Sequence, residues 1–176
     1  MAHAFIAIGA NINPERNVAR AVEMLAEAVG ICAVSTFYET AALDRPQQPA
    51  FYNGVVRVET QMAPLALKQQ VLREVESRLG RRRTADKYAS RPIDLDLILY
   101  ENLVVTSEEL TLPDPDIYTR AFVAVPLHEL APELVLPDTG RSLASLCREL
   151  SMHGMVALPA YSEALRKEVT NGHPEG

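Results

Sequence analysis

Apolar and polar positions along this chain recur in two periods, and the switches between them mark out its elements. Ala4 to Ile8 is a short apolar run that reads as a buried strand running into Gly9-Ala10-Asn11. From Pro14 the apolar residues Val18, Ala21, Val22, Leu25 and Ala26 fall on one helix face, with Asn13 placed to cap the helix and Gly30 to stop it. Ile31 to Tyr38 is rich in β-branched and aromatic residues and reads as a strand. Ala41 to Pro49 carries Pro46 and Pro49 and is a loop, after which Phe51 to Thr60 resumes strand character. Pro64 opens a second helix, with Leu65, Val71, Leu72, Val75 and Leu79 facing inward and Gly80 closing it.

The pattern then changes to strict alternation at Arg91-Pro92-Ile93-Asp94-Leu95-Asp96-Leu97-Ile98. On a strand this places Asp94 and Asp96 on one face and Ile93, Leu95 and Leu97 on the other. The order strand-helix-strand-strand-helix-strand predicts an α+β fold, a ferredoxin-like βαββαβ sandwich with a C-terminal extension. Helices on one sheet face would leave the other free for a site. Beyond it, Leu112 to Asp116 reads as a rigid turn, Thr119 to Leu130 as a short helix containing Pro126, and Gly140 to Leu150 as one more helix. Residues 1–160 are expected to form a single domain and 161–176 a partly disordered tail.

Composition narrows the function. A chain of 176 residues with 48% hydrophobic and 23% charged residues is long enough to bury a core and ordinary for a soluble domain. No apolar run approaches a membrane span and the N-terminus lacks the pattern of a signal peptide, so a cytoplasmic protein without membrane contact is expected. Cys32 and Cys147 show no metal or redox spacing and read as small core residues. The net charge of −6 argues against a nucleic-acid partner. Between Arg73 and Arg91, however, seven basic residues outnumber three acidic ones, which favours an anionic ligand.

Carboxylates two apart on a strand lie about 6.5–7 Å apart at Cα, close enough to share divalent cations. Arginines arriving from the loop before them have the forked donors that grip phosphate. A solvated acidic edge strand beside a basic helix end is the structural alternative. Gly9-Ala10-Asn11 follows a strand and precedes a helix but fits neither the dinucleotide nor the P-loop template, and Gly9 reads as a tight-turn residue.

The run Lys87-Tyr88-Ala89-Ser90-Arg91-Pro92-Ile93-Asp94-Leu95-Asp96-Leu97-Ile98 resembles the signature of the 6-hydroxymethyl-7,8-dihydropterin pyrophosphokinase family. Ile8-Gly9-Ala10-Asn11, Phe37-Tyr38-Glu39-Thr40, Gln48-Pro49-Ala50-Phe51-Tyr52-Asn53, Arg120-Ala121-Phe122-Val123 and Ala131-Pro132-Glu133-Leu134 extend the likeness from about Ala4 to Leu150. The resemblance implies transfer of pyrophosphate from MgATP to the hydroxymethyl group of the reduced pterin, releasing AMP, by a monomer or weak dimer. It implies that Asp94 and Asp96 hold two Mg2+ ions and act in catalysis with Arg81 and Arg91. It further implies ATP contacts at Arg83, Arg91, Ile98, Thr111 and Arg120, and pterin contacts at Thr40, Leu43, Phe51, Asn53 and Phe122. Glu76 and Tyr88 would orient a mobile lid. After Leu112-Pro113 the family usually carries a histidine that reaches the phosphates, whereas this chain has Asp114. That departure keeps open a diverged paralogue acting on another pterin, and a non-catalytic ferredoxin-like binding module is the alternative of a different class.

Overall fold

The computed structural model describes residues 1–42, 45–82, 85–86 and 89–171. Strand β1 (Ala2–Ala10) leads to helix α1 (Pro14–Val29), then to strands β2 (Ile31–Val34), β3 (Tyr38–Thr40) and β4 (Phe51–Thr60). Helix α2 (Pro64–Ala66) widens into a π-helical segment at Leu67–Leu72 and continues as α3 (Arg73–Arg78). Strand β5 (Asp94–Tyr100) is followed by a small hairpin of β6 (Val105–Thr106) and β7 (Thr111–Leu112), and then by α4 (Asp116–Thr119) and α5 (Ala121–Leu130). Helix α6 (Leu143–Glu149), strand β8 (Val156–Ala157) and helix α7 (Pro159–Asn171) complete the order.

The fold is mixed α and β around an antiparallel sheet in the order β5-β1-β4-β3-β8, with β2 also paired to β4. One sheet face packs on α1, α3 and α7. There Ile6, Ile8, Val56, Val58, Leu95 and Leu97 meet Val18, Val22, Leu25, Leu72, Val75 and Leu165. Each such fully buried aliphatic side chain contributes about 1.5–3 kcal/mol. The other face is only partly covered. Phe5, Val55, Ile98 and Leu99 pack there against Ile117, Val123, Leu127, Leu143 and Leu146, and the end of the sheet nearer Asp94 stays open.

The β1–β5 register shifts between Phe5 and Ile6, which pair with Leu99 and Leu97. Ile98 is the extra residue, and this bulge turns both Ile98 and Leu99 onto the same face. At Gly54, in β4, a Cβ would lie 2.6 Å from the Phe37 ring, so the sheet passes under that ring only where the side chain is absent.

Several elements differ from the sequence reading. The strand expected over Ile31 to Tyr38 is two strands, β2 and β3: Ser35 N–H donates to Val55 O at 2.9 Å, but Val55 N–H donates to the Ser35 hydroxyl at 2.9 Å in place of a backbone carbonyl, which ends the ladder there. Asn13 makes no side-chain cap and adopts a left-handed conformation at φ 41°. The helix expected from Thr119 to Leu130 is α5, starting at Ala121; the short α4 precedes it, and the extended backbone of Arg120 parts the two. The tail expected from residue 161 is helical to Asn171. There Leu165 is buried and Arg166 Nε donates to Val34 O at 2.9 Å, so an apolar face and a backbone anchor hold the segment in place. Cys32 is exposed on β2 rather than in the core, and Cys147 is half-buried.

Candidate active site

The open end of the sheet and the start of α5 enclose a cavity of about 290 Å³. Asp94 and Asp96 reach it from β5, Phe51 and Asn53 from β4, and Thr40 from β3. Arg120 and Phe122 line it from the break between α4 and α5, and Arg91 from the segment before β5. The period of two along β5 puts both carboxylates on this face while Leu95 and Leu97 fill the helical core behind them.

Asp94 is tied to two arginines. Arg81 Nη1 donates to its Oδ1 at 3.0 Å and Arg91 Nη1 to its Oδ2 at 2.9 Å. Arg81 also donates to Ile93 O at 2.9 Å. Arg91 is held from three further directions. Its backbone N–H donates to Asn11 Oδ1 at 2.8 Å, its carbonyl accepts from Asn11 N–H at 3.1 Å, and its guanidinium carbon lies 6.0 Å from the centre of the Phe51 ring. Asn11 is thus the pin that sets this arginine at the cavity mouth.

Asp96 makes no side-chain hydrogen bond among the described residues. Burial pushes its carboxyl well above the ordinary range, the charges of Asp94, Asp114 and Glu76 push it further, and Arg73 opposes them. Asp114 is also raised, mainly by burial, and its Oδ1 accepts from Asp116 N–H at 2.9 Å. Asp94 has two arginine partners, whereas Asp96 and Asp114 are raised by burial and by the neighbouring carboxylates despite the opposing charges of Arg73 and Lys68, a field that favours a bound cation. No group of three or more His, Cys, Asp or Glu side chains able to hold a metal occurs among the described residues. The donor set is a pair of hard carboxylates, which suits Mg2+, an ion that keeps water and substrate phosphate as its remaining ligands.

On the opposite wall Asn53 Nδ2 donates to Thr40 Oγ1 at 2.8 Å, which fixes the amide plane. Gly9 is a mid-strand residue of β1 paired with Asn53, not a turn residue: a Cβ there would lie 2.6 Å from Asn53 Oδ1. Phe51 and Phe122 supply two aromatic rings to the same space.

Of the residues expected from sequence, Thr40, Phe51, Asn53, Arg91, Asp94, Asp96, Arg120 and Phe122 line the cavity, and Arg81 joins them through Asp94. Ile98 does not: its side chain, on the same face of β5 as Asp94 and Asp96, packs in the second core, and its carbonyl accepts from Asp114 N–H at 2.9 Å. Thr111 is exposed on β7 and does not line the cavity. Glu76, expected to orient a lid, is 2% exposed and lies beneath β5. Leu43, Arg83 and Tyr88 fall outside the described residues. Sequence reasoning missed Gln48, Asp116 and Val123 as lining residues. Gln48 had a signal in the run Gln48-Pro49-Ala50-Phe51-Tyr52-Asn53 that carries part of the resemblance, and the structure ties it to Asn11, whose Nδ2 donates to its Oε1 at 3.2 Å.

Residues 5–132 match the family 7,8-dihydro-6-hydroxymethylpterin-pyrophosphokinase (HPPK). The chain belongs to this family. It is 34% identical over 161 residues to the 2-amino-4-hydroxy-6-hydroxymethyldihydropteridine pyrophosphokinase of Haemophilus influenzae, covering 90% of this chain and 99% of that one. The Pseudomonas aeruginosa protein of the same name is 35% identical over 88% of this chain and 96% of its own. In fold the chain is similar to wild-type Plasmodium falciparum HPPK-DHPS, with a TM-score of 0.67 at 12% identity over 84% of this chain and 44% of that one. As an HPPK, the chain is an enzyme, a pyrophosphokinase of folate biosynthesis. Neither the diverged paralogue nor the non-catalytic module is favoured.

Proposed function

We propose that this cavity binds MgATP and 6-hydroxymethyl-7,8-dihydropterin side by side and moves the pyrophosphoryl group from the nucleotide to the pterin hydroxymethyl oxygen, releasing AMP. The observation that carries the reading is that Asp94, tied to Arg81 and Arg91, and its neighbour Asp96 line the same cavity as Phe51, Phe122 and the fixed amide of Asn53. A pterin is a flat ring system with donors and acceptors on its edge. It suits a place between two aromatic rings, with an amide reading the edge.

Asp94 and Asp96 would hold the metal, as two Mg2+ ions. Such ions neutralise phosphate charge and polarise the transferred group. Arg81 and Arg91, now on Asp94, are placed to exchange that partner for phosphate oxygens, and Arg120 extends from the opposite wall. Asn11 holds Arg91 in reach throughout, so the guanidinium need not be ordered at the moment of reaction. Catalysis of this type is positioning and electrostatics more than covalent chemistry. The sheet order, with β5 and β1 beside β4 and β2 outside it, supports a ferredoxin-like βαββαβ core carrying the site on its free face.

AMP release from ATP and Mg2+, with and without the pterin, tests the reading. Pterin-dependent AMP in the wild type and its loss in Asp96→Ala, with pterin binding retained, is the expected result. AMP formation that survives in Asp96→Ala would remove the aspartate from the mechanism.

A further inference from the structure

Strand β5 is the edge of the sheet: β1 pairs with one side of it, and among the described residues no strand pairs with the other. An edge strand presents unpaired backbone groups outward, and here those of Leu95 belong to the residue between the two aspartates. They are met by side chains. Glu76 Oε2 accepts from Leu95 N–H at 2.9 Å, and Arg73 Nη1 donates to Leu95 O at 3.2 Å. The same Arg73 nitrogen donates to Glu76 Oε1 at 2.7 Å, closing the arrangement into a ring.

We propose that Arg73 and Glu76 are positioning residues for the Asp94–Asp96 pair. Together they act as a one-residue substitute for a neighbouring strand, gripping both backbone groups of Leu95. The proposal rests on the reading of the two aspartates as cation ligands. A cation drawing both carboxylates inward pulls on β5 at two points, and the Leu95 peptide is the fulcrum between them. With its N–H and C=O held from behind, the strand resists twisting and the carboxylates keep their spacing. Nothing else among the described residues gives that peptide an outer partner. Glu76 serves this purpose only as an anion paired to Arg73, because at 2% exposure an isolated carboxylate there would be strongly disfavoured. Arg73 has no direct place in the cavity lining, so its effect must pass through β5.

The test uses the full chain in three forms, wild type, Arg73→Met and Arg73→Lys, with Glu76→Gln as a second route that keeps the volume. Amide hydrogen exchange at Leu95 is measured first in metal-free protein, then Mn2+ binding with α,β-methylene-ATP by electron paramagnetic resonance, then pterin KM. Arg73→Met and Glu76→Gln are expected to speed Leu95 exchange roughly 10- to 100-fold, the loss of one charge-assisted bond, while amides of β4 stay unchanged. Mn2+ affinity should fall about 10-fold with pterin KM unmoved, and Arg73→Lys should recover most of both. Unchanged Leu95 exchange in both variants would overturn the bracket itself. Faster exchange with wild-type Mn2+ affinity would overturn the positioning role. Wild-type Mn2+ affinity that Asp96→Ala leaves intact would instead sink the cation reading, and the proposal with it.

Discussion

Asp114 puts a negative charge where an anionic nucleotide is expected, at a position where a histidine would attract it. Its carboxyl is raised chiefly by burial, and the charges of Asp116 and Asp94 add to this while the Asp116 N–H and the Lys68 charge relieve it. The side chain has a local task as well, since its Oδ1 accepts from Asp116 N–H at the start of α4. Asp114→His should therefore move two quantities in opposite directions. ATP KM should fall about 10-fold or more, through one regained charge-assisted contact and the loss of a repulsive one. Stability should fall by roughly 1 kcal/mol through the lost N-terminal bond. Steady-state kinetics with varied ATP, beside a thermal melt, measures both. An ATP KM equal to that of the wild type would show that position 114 does not face the phosphates.

At the scale of elements, the pairing of β1 with β4 fixes the end of the cavity proposed for the pterin, and Gly9 is a position where that pairing has no slack. Gly9→Ala would set a Cβ 2.6 Å from Asn53 Oδ1 and push the amide off its bond to Thr40. The expected outcome is a pterin KM raised about 10-fold or more with ATP KM unchanged, since one amide contact discriminates by that order. Equal pterin KM in the variant would mean that Asn53 does not read the ring edge. Much of this architecture was legible beforehand. Val18, Val22 and Leu25 announced α1 by their spacing, and the alternation around Asp94 and Asp96 assigned both carboxylates to the cavity face. What stayed hidden depends on partners distant in sequence. Gly9 looked like a turn residue because its constraint comes from Asn53 across the sheet. Leu99 shares the face of Ile98 without any sign in the pattern, because a bulge leaves no periodic trace until its partner strand is known. The 161–171 helix lacked a signal in its polar composition, its place being set by Leu165 and by Arg166 reaching Val34 O.

For the molecule as a whole, the acidic centre sets function against stability. A carboxyl raised on folding, as Asp96 is, binds more protons folded than unfolded. Its contribution to stability is therefore lost as pH rises from the ordinary value of 3.8 through the raised folded value. Asp114 acts in the same sense. Metal-free Asp96→Asn should melt above the wild type at neutral pH, the gap closing as pH falls toward the unfolded value, while its activity is expected to be lost. Melts across that range in chelator check this, and a variant less stable than the wild type at neutral pH would contradict it. The same sheet also governs how the chain can vary in length. Asp94, Leu95, Asp96 and Leu97 each face opposite their neighbours, so one residue inserted or deleted between the aspartates would leave one carboxylate on the cavity face and turn the other into the helical core. Past that point the frame is already broken, since Ile98 and Leu99 share a face. Within β5, a change of length is thus better tolerated past Leu97 than between the aspartates, whose separation of two the pleat holds fixed.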